Sequence, residues 1–146
     1  MNLLKIFLLI YTPSKGAFLL IFKRDEAFRY TFGSPLLAKF TITEINDKKV
    51  ESSPGLAEII DISPEGLCIS SNLIIPDEGS KIVLSVQFKI NEAEITLNGE
   101  IVWTKELGSK AEYGINLIVD DFEKELIIEE LKTYAKNNAN QSNLSK

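Results

Sequence analysis

The stretch from Lys81 to Thr104 constrains the fold of this chain more than any other. Between Lys81 and Ile90, the residues Ile82, Leu84, Val86, Phe88 and Ile90 alternate with Ser85, Gln87 and Lys89, with Val83 the exception. After the short turn Asn91-Glu92-Ala93 the alternation resumes from Glu94 to Thr104. Ile95, Leu97, Ile101 and Trp103 fall on one side, and Thr96, Asn98 and Glu100 on the other. Successive side chains of an extended chain point to opposite faces, so a period of two means strands with one buried face. A connection this short joins such strands only as an antiparallel hairpin. Trp103, on the apolar side, is read as core.

The same period recurs along the chain. Leu36 to Ile45 places Ala38, Phe40 and Ile42 opposite Lys39, Thr41 and Thr43, and Asn46-Asp47-Lys48 then reads as a turn. Further strands are expected at Leu56 to Ile62, Leu67 to Ser71 and Ala111 to Val119, with turns at Ser63-Pro64-Glu65-Gly66 and at Gly108 and a loop through Ile75, Pro76 and Gly79. Six strands with short connections and no helical crossover must pair antiparallel. A one-sided apolar face favours a closed barrel, because closure removes exposed strand edges. The expected fold is therefore mainly β: a six-stranded antiparallel β-barrel.

The period changes near the end. Phe122, Leu126, Ile127, Leu131, Tyr134 and Ala135 recur at helical spacing, and Asp120 or Asp121 suits the N-cap of a C-terminal helix. Residues 137–146 (NNANQSNLSK) are polar and are expected to form a disordered tail. At the other end, residues 1–22 contain two apolar runs separated by Thr12-Pro13-Ser14-Lys15-Gly16. Lys5, Pro13, Lys15 and Gly16 interrupt the roughly 20 apolar residues that a membrane-spanning helix needs. The extension reads as an added hairpin or as residues upstream of the true start, with membrane association the lesser reading. The domain itself is expected over residues 23–136.

Composition removes whole classes of chemistry. The chain has no histidine and a single cysteine, Cys68. A structural zinc site and histidine-based catalysis are not expected, and an intramolecular disulfide cannot form. Cys68 reads as a small buried apolar residue, and the cysteine usage suits a cytoplasmic protein. The net charge of −5 argues against DNA or RNA as partners, since these require a basic face. No pair of carboxylates is placed for acid–base catalysis, so neither an enzyme nor a resident cofactor or metal is expected.

The turn at Asp61-Ile62-Ser63-Pro64-Glu65-Gly66 fits Asp-x-Ser-x-x-Gly at a strand end. A charged arm, Lys23 to Arg29, precedes the barrel, and Gly99-Glu100-Ile101-Val102-Trp103 and Tyr113-Gly114-Ile115 fall in late strands. In this order and spacing, residues 23–136 resemble the PilZ family, bacterial receptor domains for cyclic di-GMP. The resemblance implies a ligand between the N-terminal arginine arm and the turn. Lys23, Arg24 and Arg29 would meet phosphate or guanine acceptors, Asp61 would accept from guanine N–H groups, and Ser63 would donate to phosphate or orient the turn. Gly66 would allow positive φ and close backbone approach. The resemblance also implies signalling to a partner protein.

The arm departs from the family pattern Arg-x-x-x-Arg. With Arg29 as the second arginine, Asp25 stands in the place of the first, and Arg24 lies one residue before it. The alternative expectation is therefore a degenerate PilZ-like adaptor that binds protein and not nucleotide.

Overall fold

A computed structural model describes residues 29–76 and 79–144, without the side chains of 140–144. The elements are β1 (Tyr30–Ile45), β2 (Lys48–Lys49), β3 (Gly55–Ser63), β4 (Gly66–Ser71), β5 (Ile82–Lys89), β6 (Glu94–Leu107), β7 (Lys110–Ile118) and α1 (Asp121–Leu144). The strands run β2-β1-β3-β4-β7-β6-β5, and β5 pairs back onto β1. Every pairing is antiparallel, and the result is the expected closed six-stranded barrel, with β2 a short addition beside β1.

Closure depends on the length of β1. The strand starts at Tyr30 rather than at Leu36, with a register shift between Thr31 and Leu36. Gly33 and Pro35 lie inside that irregularity and break the alternation, which is why the early part reads as something other than strand. Its length lets β1 serve two neighbours. Tyr30 to Phe40 pair with β3, and Ala38 to Ile45 pair with β5.

The apolar alternate residues fill the interior. Ile59, Ile62, Ile69, Leu84, Val86 and Tyr113 are fully buried or nearly so. The Tyr113 hydroxyl donates to the carbonyl of Leu73 and accepts from the N–H of Ile75, both at 2.8 Å, which ties down the loop after β4. Asn46 and Asp47 adopt positive φ (50° and 67°), as does Gly108 (68°), so the expected turns form there.

The helix starts with a capping box. Asp120 Oδ1 accepts from the Glu123 N–H at 2.8 Å, and Glu123 Oε1 accepts from the Asp120 N–H at 3.2 Å. The buried face differs from the expected stripe. Ile127, Ile128, Leu131 and Ala135 are buried and Tyr134 is partly so, whereas Phe122 (73%) and Leu126 (38%) are exposed. Lys124 lies on the barrel side as well. It reaches from the first turn to Glu65 and shares the buried face of Ile127, Ile128, Leu131 and Ala135, and helical spacing leaves Phe122 and Leu126 on the opposite side. Burial of Ile127, Ile128 and Leu131 contributes on the order of 1.5–3 kcal/mol each, before the entropy of ordering them.

The polar run from Asn137, expected as a disordered tail, instead continues the helix to Leu144. Tyr30, Phe32 and Tyr134 pack edge to face at centroid distances of 5.1, 5.9 and 5.3 Å, joining the start of β1 to the helix. Among the described residues no helix is long and apolar enough to cross a membrane. Residues 1–22, with the hairpin and membrane readings attached to them, lie outside the described residues.

Candidate functional site

The ladders on either side of the Asp61–Gly66 turn build a strip across the outside of the barrel. Asp61 pairs with Cys68, Cys68 with Gly114, and Gly114 with Trp103, crossing β3, β4, β7 and β6. The next outward row is Ser63, Gly66, Asn116 and Glu100. Residues two apart on a strand share a face, so the rows lie side by side. Glycines and a cysteine make the floor low. Arg29, Ser63, Gly66, Trp103 and Gly114 are among the residues that line a cleft of about 240 Å³ there.

At one end Arg29 Nη1 donates to Asp61 Oδ1 at 2.7 Å. The guanidinium is half exposed, while Asp61 is only 15% exposed, so the carboxylate sits in the wall and the arginine faces outward. Ser63 is buried. Its Oγ accepts from the Glu65 N–H at 3.3 Å and donates to the Gly66 carbonyl at 3.4 Å, so in this structure the hydroxyl orients the turn. Gly66 does not have the positive φ expected of it. The fit is close there, since a Cβ would lie 3.3 Å from the carbonyl oxygen of Ile115 and 3.4 Å from Ser63 Oγ. The structure thus brings Arg29, Asp61, Ser63 and Gly66 together. Lys23 and Arg24 lie outside the described residues, as does Asp25.

Trp103 closes the other end and corrects the expectation that it is core. A register shift between Ile101 and Trp103 turns the indole outward, leaving it 44% exposed. It lies flat over Gly114, where any Cβ would take the space of the indole nitrogen. Sequence reasoning missed Trp103 as a cleft residue, together with Val102, Glu65 and Asn116. One signal was present: Ile101-Val102-Trp103 are three consecutive apolar residues in a strand that otherwise alternates, the mark of a bulge.

Cys68 lies beneath this strip. Burial pushes its thiol up to about 11, the carboxylates of Asp61 and Glu112 add to the effect, and Arg29 opposes it. The thiol is therefore protonated at neutral pH and unsuited to nucleophilic work. A larger groove of about 660 Å³, lined in part by Leu36, Leu37, Leu56 and Phe88, is mostly apolar and lacks such a convergence of arginine, carboxylate and hydroxyl. By chemistry rather than size, the smaller cleft is the better candidate.

The sequence matches the PilZ domain family over residues 24–134, from the arm into the C-terminal helix. This chain belongs to the PilZ family. Its fold is similar to the PilZ domain with c-di-GMP of YcgR from Escherichia coli, with a TM-score of 0.57, 15% identity, and coverage of 81% of this chain and 98% of that one. It is also similar to the PilZ domain of CeSA from a cellulose synthesizing bacterium, with a TM-score of 0.50, 13% identity, and coverage of 70% and 92%. At such identities these likenesses concern the fold. No curated protein matches the chain. In this PilZ domain no group of three or more metal-ligating side chains occurs among the described residues.

Proposed function

We propose that the protein is a non-catalytic cyclic di-GMP receptor domain, with the nucleotide held between the arm that ends in Arg29 and the Asp61–Gly66 turn. The observation that carries this reading is the pairing of a half-exposed Arg29 with a shielded Asp61 at the rim of the cleft that Trp103 closes. The two partners have complementary tasks toward a guanine nucleotide. A guanidinium forks onto phosphate oxygens or guanine O6 and N7, and a carboxylate accepts from guanine N1–H and N2–H. Binding exchanges one ion pair for two contacts of the same kind. The exposed indole offers a face on which a base stacks.

The cleft of about 240 Å³ is smaller than the roughly 300–1,000 Å³ of typical small-molecule pockets. In this reading Lys23 and Arg24 add contacts beyond the described cleft. A nucleotide seated there changes the surface shown to a partner protein. Family membership and the c-di-GMP bound to the YcgR domain support the reading. A cytoplasmic location suits that messenger.

Calorimetry with cyclic di-GMP is the direct test, and absence of heat at near-millimolar ligand would sink the proposal. Arg29→Ala is expected to weaken binding about 10- to 100-fold, since a hydrogen bond to a charged group contributes roughly 1.5–3 kcal/mol and each 1.4 kcal/mol is tenfold. Lys132→Ala is expected to leave binding unchanged. Asp25 in the arm favours a second reading, a protein-binding adaptor that has lost the nucleotide. That reading predicts ligand-independent association with a partner, and binding gained on Asp25→Arg.

A further inference from the structure

The Asp61–Gly66 turn carries an acid–base pair at each end. Arg29 holds Asp61, and Lys124 Nζ, from the first turn of α1, donates to Glu65 Oε1 at 3.0 Å. Glu65 and Arg29 line the same cleft, and among the described lining residues they are its one anion and its one cation. With Asp61 and Lys124 counted, the four charges cancel. A ligand with two phosphodiester charges requires cations that turn toward it, and the arm has Asp25 where the family pattern has an arginine.

Lys124 is placed for that task. It shares the barrel-facing side of α1 with Ile127 and Ile128, and its side chain is 27% exposed against 60% for Glu65. The capping box at Asp120 and Glu123 fixes the turn that carries it. The Lys124 N–H also bonds the Asp120 carbonyl at 3.0 Å, so the backbone is set while the four-carbon stem remains free to swing. The helix dipole favours an anion at this end.

We infer that Lys124 is a further cation of the ligand site, beyond those of the arm, held in reserve by Glu65. When the nucleotide enters, the ammonium passes from the Glu65 carboxylate to a phosphate oxygen, and the more exposed Glu65 turns to solvent. The inference deepens the receptor reading and rests on it. It also gives the departure in the arm a compensation: charge missing from the N-terminal side is supplied from the helix. A purely structural pair, which only fastens α1 to the turn, makes a different prediction, because loss of either partner would then act alike.

Calorimetry with cyclic di-GMP on the full chain separates these cases, using Lys124→Gln, Lys124→Arg, Glu65→Gln and the double variant at low and high salt. Lys124→Gln is expected to weaken binding about tenfold and to flatten its salt dependence. Lys124→Arg is expected to retain binding. Glu65→Gln is expected to tighten binding a few-fold, since the ammonium no longer leaves a carboxylate. The double variant is expected to resemble Lys124→Gln. Binding by Lys124→Gln within twofold of the parent overturns the inference while the receptor reading stands. Equal weakening by Lys124→Gln and Glu65→Gln, with matching losses in melting temperature, also overturns it. No heat from the parent protein overturns both readings together.

Discussion

Asn46-Asp47 and Asp61 to Gly66 are both acidic turns between antiparallel strands, and each carries a salt bridge, yet they spend their polar groups differently. At the first, the Asn46 N–H bonds the Lys81 carbonyl at 2.8 Å and Asn46 Oδ1 accepts from the Lys81 N–H at 2.9 Å. Asp47 meets Lys81 Nζ at 3.0 Å with 77% of its own side chain exposed. That turn is fastened by both its residues to one neighbour, Lys81, and its ion pair lies in water, where such pairs contribute little. At the second, Ser63 alone orders the turn internally. Asp61 and Glu65 meet two separate cations, Arg29 and Lys124, beside a strip of small residues that leaves room next to them. The second turn is the better candidate site because its charges border a cleft, whereas the ion pair of the first is set in open solvent.

The strongest way to break the contrast is substitution at its two centres. Asp61→Ala is expected to weaken cyclic di-GMP about 10- to 100-fold. It is expected to lower stability by no more than about 1 kcal/mol, because the orphaned Arg29 is half exposed. Equal losses of binding and stability would make this turn structural like the first. The cysteine beneath the strip gives an effect of similar size. With its thiol pushed up to about 11 from an ordinary 9.0, Cys68 should alkylate about 100-fold more slowly at neutral pH than an unperturbed thiol, with a rate that climbs until pH passes 11. Alkylation at the ordinary rate would show that the strip opens in solution.

Smaller effects sharpen the comparison. Gly114→Ala pushes the indole off the strip and is expected to shift Trp103 fluorescence and weaken the nucleotide several-fold, since base–aromatic stacking is worth about 1–3 kcal/mol. Intact binding with a displaced indole would remove Trp103 from the site. Asn46→Ala is expected to lower stability by about 1 kcal/mol, through loss of the bond to Lys81 and of a residue suited to positive φ, with cyclic di-GMP affinity unchanged. Denaturant unfolding and calorimetry on the same variant check both halves.

Much of this contrast was legible beforehand. Asp61, Ser63 and Gly66 were marked by their spacing, and Arg29 by its place before the barrel. What escaped was the reason for the glycine and the direction of the tryptophan. Gly66 was expected to allow positive φ and close backbone approach; it lacks the positive φ, and its close neighbour is the Ile115 carbonyl, 49 residues on. Trp103 reverses its face because one bulge intervenes between it and Ile101. A shift of one residue moves every later side chain of a strand to the other side, and alternation alone does not place the shift. The expected helix stripe was too wide, since at helical spacing Phe122 and Leu126 fall on the side away from Ile127, Ile128, Leu131 and Ala135.

The sequence by itself determined the class of fold, since the period of two and the short turns admit little other than a closed antiparallel barrel with a helix at its end. It also determined the chemistry available, with no histidine to act as base, two arginines ahead of the barrel and an acidic turn within it. Only the tertiary structure decided which groups share the cleft. Register and bulges set that, and they follow from pairings between residues far apart in the chain, as when Glu65 meets Lys124 and Trp103 settles on Gly114.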